Sequence, residues 1–535
     1  MTDLPSLRLE RIVERLLTPW RNASGPGVTI GVVRDDVLHV HRSAGLANIE
    51  LGVPIGPCTT FRIASVSKQF TCAAILTLAA DGRLNIEDDV RTHLPTFPHL
   101  EAPITLAHLM HNTSGIRDML EIMRLGGVDL GQACTEQNLL DAVWRQQNLN
   151  FPPNTRYLYS NSNFMLLGHV VERVSGEPLA DFLDRRFFAP LGMMMTRHTP
   201  TTDELVPGLA TGYLPAPGGW RRAWHRFPLH GEGGLVSSVQ DLALWHAQSL
   251  VPTPHGGTLA EALAAMTPFE GGTPNSYACG LRITIWRGVR TIGHDGLWPG
   301  FKTSFVRIPD HHAAVICISN DGTSDPHDLA FHVVDALLDS WPGLHPVPPM
   351  PQWANAPELL GRYVDPRTGA TVDVGRDAQG RITANQHGVA TWMLPTEDGR
   401  LATSRGSGDF TMQLTHHGLQ VERDAGVHET LRRAATEPRL PADLSGRYAN
   451  ADTAAIWTIT AAEASAELHV SGPLLTNVGP WKIEPIEGDC IRICTPLTLY
   501  RGWIDVVLQR DARGHVTGLH VDGGRVKGLV FSRLT

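Results

Sequence analysis

A large α/β or α+β domain followed by two antiparallel β-barrel-like modules is the architecture this sequence predicts, and three observations carry the prediction. Residues 1 to about 340 mix helical apolar periods with short apolar runs such as Val28–Val33 and Ala314–Ser319. The stretch LHPVPPMPQWANAPE, 344–358, is proline-rich and aperiodic, as a linker is. Beyond it, LLGRYVDPRTGATVDV at 359–374 is echoed by LSGRYANADTAAIWTI at 444–459, an internal repeat built around Gly-Arg-Tyr. These signals place the large domain at 1–343 and the modules at 357–437 and 443–535, with EPRLPADL at 437–444 breaking between them.

Each part has its own local signature. The start, MTDLPSLRLERIVERLL, interrupts its apolar residues with Arg8, Glu10, Arg11, Glu14 and Arg15, which reads as a surface helix and not as a leader. In the modules, turn signals at Asp377–Gly380 and Asp511–Gly514 alternate with short runs such as Ile504–Leu508, the pattern of antiparallel sheets or small barrels.

Composition narrows the function. With 535 residues, 42% of them hydrophobic, the chain has material for several cores. A net charge of −9, with 45 basic residues spread along the chain, leaves no basic stripe for phosphates, so nucleic acid is not an expected partner. No apolar run is long enough to span a bilayer, so no membrane partner is expected. Seven thinly spread cysteines fit reduced thiols in a cytoplasmic protein. The 25 histidines include no HExxH, and neither a metal nor a cofactor is expected.

Three short stretches carry chemistry. In IASVSKQFTC, 63–72, Ser65 stands one helical turn before Lys68 at the mouth of an apolar run that Asp81-Gly82 would stop. A serine hydroxyl needs a base and a place for the oxyanion; a partly desolvated lysine and a helix N-terminus supply both. In FPPNTRYLYSNSNF, 151–164, Tyr159 and Asn161 precede a helical stripe of Phe164, Leu167, Val171 and Val174. A phenol beside an ammonium is a candidate general base, and an Asn amide can bind a carbonyl. In RTIGHDGLWPGF, 290–301, a strand should end in a turn at His294-Asp295-Gly296, with His294 projecting into the cleft and Gly296 admitting a substrate along the edge. Taken singly each residue has an ordinary structural reading; their order along one chain points to acyl transfer.

That order, Ser-x-x-Lys, Tyr-x-Asn, then a His-x-Gly strand, resembles the serine β-lactamases and penicillin-recognising hydrolases. LMHNTSG at 109–115 and GEGGLVSSVQDLALW at 231–245 look like structural signatures of its class C-like members. With SVSKQFTC, the Asn of LMHNTSG, the His-x-Gly strand and two trailing β modules, the chain resembles the D-aminopeptidase subgroup. The resemblance implies a β-lactamase-like catalytic domain in which Ser65 is the nucleophile and Lys68 and Tyr159 handle its proton. It implies that Asn161 positions the substrate and that the N–H groups of Ser65 and Leu297 form the oxyanion hole. His294 would stand where penicillin-binding members carry a lysine for a substrate carboxylate; a mostly neutral imidazole anchors an anion poorly, which argues for substrates without one.

In that subgroup a loop of the last domain offers an aspartate to the substrate's free amine. The matching stretch here, ICTPLTLYRGWID at 493–505, carries Arg501 and no acid before Asp505. Asp505, Asp489 or Glu487 would have to serve instead; otherwise Arg501 implies an acidic or acyl-blocked substrate. The leading expectation is a serine hydrolase releasing N-terminal D-amino acids from small peptides or amides. A promiscuous esterase or amidase of the same fold is the alternative, and a non-catalytic scaffold the rival from another class. The β modules are candidates for a homodimer contact.

Overall fold

Antiparallel pairing decides the first part of the molecule: six strands run in the order Arg282–Trp286, Val289–Trp298, Phe301–Ile308, Ala313–Ser319, Val28–Arg34 and Val37–Ala44. The chain's first and last thirds of this region therefore meet, in register from Val28 opposite Ser319 to Arg34 opposite Ala313. All seven residues of Ala313–Ser319 are buried, so both faces of the sheet are covered and no polar alternation shows in the sequence. Helix Val239–Ser249 packs on these strands, and helices Leu4–Leu16 and Pro326–Leu338 pack together against the sheet. Gly31 permits this closeness, because a Cβ there would lie 2.3 Å from Val239 Cγ1.

The computed structural model describes residues 4–21, 24–129, 131–250, 257–339, 341, 344–403, 410–423, 427–462, 465–474, 478–496 and 502–535. They form two compact units, one of residues 1–95, 104–111 and 163–346, the other of 96–103, 112–162 and 347–535. Among the described residues no helix is long and apolar enough to cross a membrane.

The second unit contains two closed eight-stranded antiparallel barrels, one from Gly361–Val364 to Val427–Arg433, the other from Gly446–Asn450 to Leu529–Arg533. The Gly-Arg-Tyr repeat is their closure. Tyr363 sits opposite Arg433 and Tyr448 opposite Arg533, the same pairing of first and last strand in each barrel. Gly361 and Gly446 leave room for those arginine side chains, which a Cβ would meet at 2.7 and 3.1 Å. Each tyrosine hydroxyl then donates to a carbonyl four residues upstream, Tyr363 to Leu359 at 3.0 Å and Tyr448 to Leu444 at 2.8 Å. The turns at Asp377–Gly380 and Asp511–Gly514 close with Gly380 N–H to Asp377 O and Gly514 N–H to Asp511 O, both 2.9 Å.

One local expectation fails. His294-Asp295-Gly296 lies inside the strand Val289–Trp298, and the reversal comes later, at Pro299-Gly300. Gly296 is small for another reason than turning: a Cβ there would fall 2.1 Å from the Ile63 carbonyl oxygen.

Candidate functional site

Ser65 stands in a 3₁₀ turn, Ala64–Ser67, that runs directly into helix Lys68–Ala80. The turn is held at both ends, by Ile63 N–H on Leu235 O at 3.1 Å and by Leu235 N–H on Ser67 Oγ at 3.2 Å. Ala64 has φ +48°, a left-handed conformation that costs a non-glycine residue and persists only where surroundings impose it. The strained residue immediately precedes the serine, which stays partly exposed while its neighbours are buried.

Lys68 is fully buried, and its ammonium donates to Ser65 Oγ at 3.1 Å and to Glu232 O at 2.5 Å, with the Phe164 ring centroid 5.2 Å away. Gly280, at φ +68°, lets the loop after Tyr277 lie on the Lys68 backbone, since a Cβ would meet Lys68 C at 2.8 Å. The Glu232 carboxyl is buried beside this group and accepts His230 N–H at 3.1 Å. Burial pushes its pKa up, against the opposing pull of the His230 and Lys68 charges.

The strand carrying His294 closes in on the serine turn through Gly296. His294 Nδ1 lies 2.6 Å from Asp295 O, so Nδ1 carries the proton and Nε2 accepts from the Tyr277 hydroxyl at 3.0 Å. Burial, reinforced by the Lys68 ammonium, lowers the imidazole to about 3. His294 is therefore neutral near pH 7 and its polar atoms face protein groups. Asp295 pairs with His327 at 2.8 Å. Leu297, next along the strand, is 64% exposed. Lys302, on the following strand Phe301–Ile308, donates to Ser324 O at 2.7 Å.

Tyr159 and Asn161 belong to the second unit, where Asn112 and Asp118 hold them. Asn112, the residue that sets LMHNTSG apart, adopts φ +54° and braces the loop from both sides. Its side-chain oxygen accepts Ser160 N–H at 3.1 Å and its carbonyl accepts Leu158 N–H at 3.1 Å. Gly115 follows at φ +75° because a Cβ would meet Phe151 O at 2.1 Å. Asp118, at zero exposure, caps helix Met119–Leu125 with Oδ1. Its Oδ2 accepts both the Asn161 backbone N–H at 2.8 Å and the Asn161 Nδ2 at 2.9 Å, so the first residue of helix Asn161–Ser175 is fixed by a carboxylate.

The three acids proposed to meet a substrate amine are committed elsewhere. Asp505 is fully buried and accepts Thr371 N–H and Oγ at 3.0 and 2.8 Å. Asp489 binds Arg510 at 2.7 Å, and Glu487 binds Arg432 at 2.6 Å. Strand pairing and barrel-to-barrel packing use these residues up, a role that sequence position alone does not reveal. Arg501 lies outside the described residues.

What the terminal barrel does bring to Tyr159 is Arg525, whose guanidinium carbon lies 4.6 Å from the tyrosine ring centroid. Arg525, Tyr277 and Asp118 lie outside the motifs, and Glu232 lies within GEGGLVSSVQDLALW without a role of its own there. Their signal in the sequence is faint: each is a polar residue beside an otherwise apolar or turn-forming stretch.

The family model described as Beta-lactamase matches residues 9–338. A D-aminopeptidase of Cereibacter sphaeroides is 28% identical over 98% of this chain and 99% of its own length. The octameric penicillin-binding protein homologue from Pyrococcus abyssi superposes with a TM-score of 0.54 at 19% identity, covering 93% of this chain and 99% of its own. The D-amino acid amidase from Ochrobactrum anthropi SV3, complexed with D-phenylalanine, gives 0.53 at 23% identity over 62% of this chain and all of its own.

Proposed function

The chain belongs to the β-lactamase family, and on that premise we propose that it is a serine hydrolase that forms an acyl-enzyme on Ser65 and releases N-terminal D-amino acids from peptides or amides. The observation that carries the reading is the 3.1 Å contact between Lys68 Nζ and Ser65 Oγ, with the lysine fully buried. An ammonium without water is easier to discharge, and once neutral it accepts the serine proton as Oγ attacks the substrate carbonyl. In this reading the new Oγ–C bond forms, the N–H groups of Ser65 and Leu297 bind the oxyanion, and Asn161 orients the acyl group. Tyr159 gives its phenolic proton to the leaving nitrogen as the C–N bond breaks and is reprotonated by Lys68, which holds the proton taken from the serine. Water then cleaves the Oγ–acyl bond, regenerating the serine and freeing the acid. The full-length relative named D-aminopeptidase supports the substrate class.

A neutral His294 supports substrates that carry no obligatory C-terminal carboxylate, because no cation stands on that strand position to meet one. A second reading, an esterase or amidase for acyl-blocked substrates, is favoured by one observation: the terminal-barrel group stacked on Tyr159 is a guanidinium, not a carboxylate.

Matched p-nitroanilides of D-Ala and L-Ala, with free and acetylated amines, beside p-nitrophenyl acetate and a Ser65→Ala control, separate the two. Ser65-dependent turnover of the free D-Ala anilide establishes the aminopeptidase. Turnover confined to the ester and the acetylated compounds establishes the second reading, and turnover that survives Ser65→Ala overturns both.

A further inference from the structure

Residues 522–528, Asp-Gly-Gly-Arg-Val-Lys-Gly, join the last two strands of the terminal barrel, Val516–Asp522 and Leu529–Arg533. The turn is clamped along its length. Asn150 Oδ1 accepts Lys527 N–H at 2.7 Å while Asn150 Nδ2 donates to Arg525 O at 3.1 Å. Arg117 donates to Lys527 O at 3.3 Å and Arg124 to Gly523 O at 3.2 Å. Lys527 Nζ folds back on Asp522 at 3.0 Å. These bonds to backbone atoms hold the turn and so fix the point from which the Arg525 side chain departs.

From there the side chain reaches Tyr159 directly and Asn161 by way of Asp118. The guanidinium lies over the Tyr159 ring, 4.6 Å from its centroid. Its Nη1 is 3.7 Å from Asp118 Oδ2, the same oxygen that accepts both donors of Asn161. A flat cation stacked on a phenol restrains the ring, and its charge compensates a carboxylate that has no exposure. We propose that Arg525 is a positioning residue for acyl transfer, through which the terminal barrel sets the orientation of Tyr159 and Asn161. The inference rests on the serine-hydrolase reading.

The test compares Arg525→Met, which keeps the stem without charge or planarity, with Arg525→Lys, which restores the charge. Both are assayed with p-nitrophenyl acetate and with the best anilide substrate, and fluorophosphonate labelling of Ser65 is followed in parallel. Misplacing catalytic groups lowers turnover without weakening ground-state binding, so Arg525→Met should lose about ten- to a hundredfold in kcat at nearly constant KM. Arg525→Lys should recover a large part of it, and thermal unfolding of both variants should stay close to the parent. A kcat equal to the parent's in Arg525→Met, with Ser65 still labelled, overturns the proposal alone. So does a rise in KM at constant kcat, which would make Arg525 a substrate ligand. Failure of the unmodified protein to label at Ser65 overturns the serine-hydrolase reading and this inference with it.

Discussion

The two units position their candidate catalytic groups by different means. In the first, Ser65 and Lys68 are brought together by one turn of backbone, and the residues that hold them, Leu235, Glu232 and Gly280, contribute mainly main-chain atoms or the absence of a side chain. In the second, Tyr159 and Asn161 are held by side chains from elsewhere in sequence: Asn112, Asp118 and, from the chain's far end, Arg525. The first arrangement tolerates change around it as long as the turn forms. The second depends on a long-range assembly, so substitutions remote from the chemistry should reach it. The difference explains why a short motif suffices to find one group and not the partners of the other.

The largest effect tests the local half. Ser65→Ala should abolish acylation, and Lys68→Ala should lower it by about three or more orders of magnitude, since members of a nucleophile–base unit act together. Steady-state rates and covalent labelling measure both. Retention of most activity in Lys68→Ala would undo the contrast at its root.

The long-range half is tested by its buried ion pair. Arg117 and Asp452 meet at 2.9 Å with side-chain exposures of 4% and 5%, tying residues 112–162 to the terminal barrel. Removing either partner strands a buried charge and should cost about 3–5 kcal/mol in a urea melt, and the double variant should cost less than the sum. Activity should fall in step with the fraction folded.

Asp118→Asn probes the same half more finely. The amide keeps one acceptor oxygen but loses the charge that three donors of Met119–Leu125 and Asn161 share, and hydrogen bonds to a charged acceptor are worth about 1.5–3 kcal/mol. We expect a loss of about ten- to a hundredfold in kcat/KM, a range of about 1.4–2.8 kcal/mol, with Ser65 still reactive to a fluorophosphonate. Loss of labelling would instead mean that Asp118 supports the fold of the serine turn.

The smallest effect concerns the barrels alone. Burial raises Asp505 from 3.8 to about 6, even against the nearby Arg492 charge. Its folded pKa exceeds its unfolded one, so between these values the folded protein binds the extra proton. The contribution of Asp505 to stability should therefore decrease as pH rises from about 4 to about 6. Asp505→Asn should remove that downward contribution, so that melting temperature relative to the parent rises with pH between these values while turnover stays unchanged; a difference that does not change with pH would contradict the assignment.

Part of this organisation is legible in the sequence. The Gly-Arg-Tyr repeat marks both barrels because glycine, arginine and tyrosine each perform one step of the same closure, and the proline-rich stretch at 344–358 precedes the first of them. Ser-x-x-Lys is legible because helical geometry alone brings its two side chains into contact. His294 is legible in its position but not in its state: a strand motif cannot show that Tyr277 and Asp295 O engage both ring nitrogens. Gly296 reads as a turn because glycine in sequence signals reversal as readily as close approach, and only the Ile63 carbonyl distinguishes them.

What is encoded locally or by repetition needs nothing but the order of residues: the family, the paired barrels, the serine–lysine turn and the stretch bearing Tyr159 and Asn161. Tertiary structure decides the rest, because it depends on residues distant in the chain. It turns Asp505, Asp489 and Glu487 into packing groups, gives Asn112 and Asp118 their bracing roles, and sets Arg525 over Tyr159. Spacing along a helix or strand is short-ranged and can be read directly; which charge a long-range contact neutralises is settled only when the chain has closed on itself.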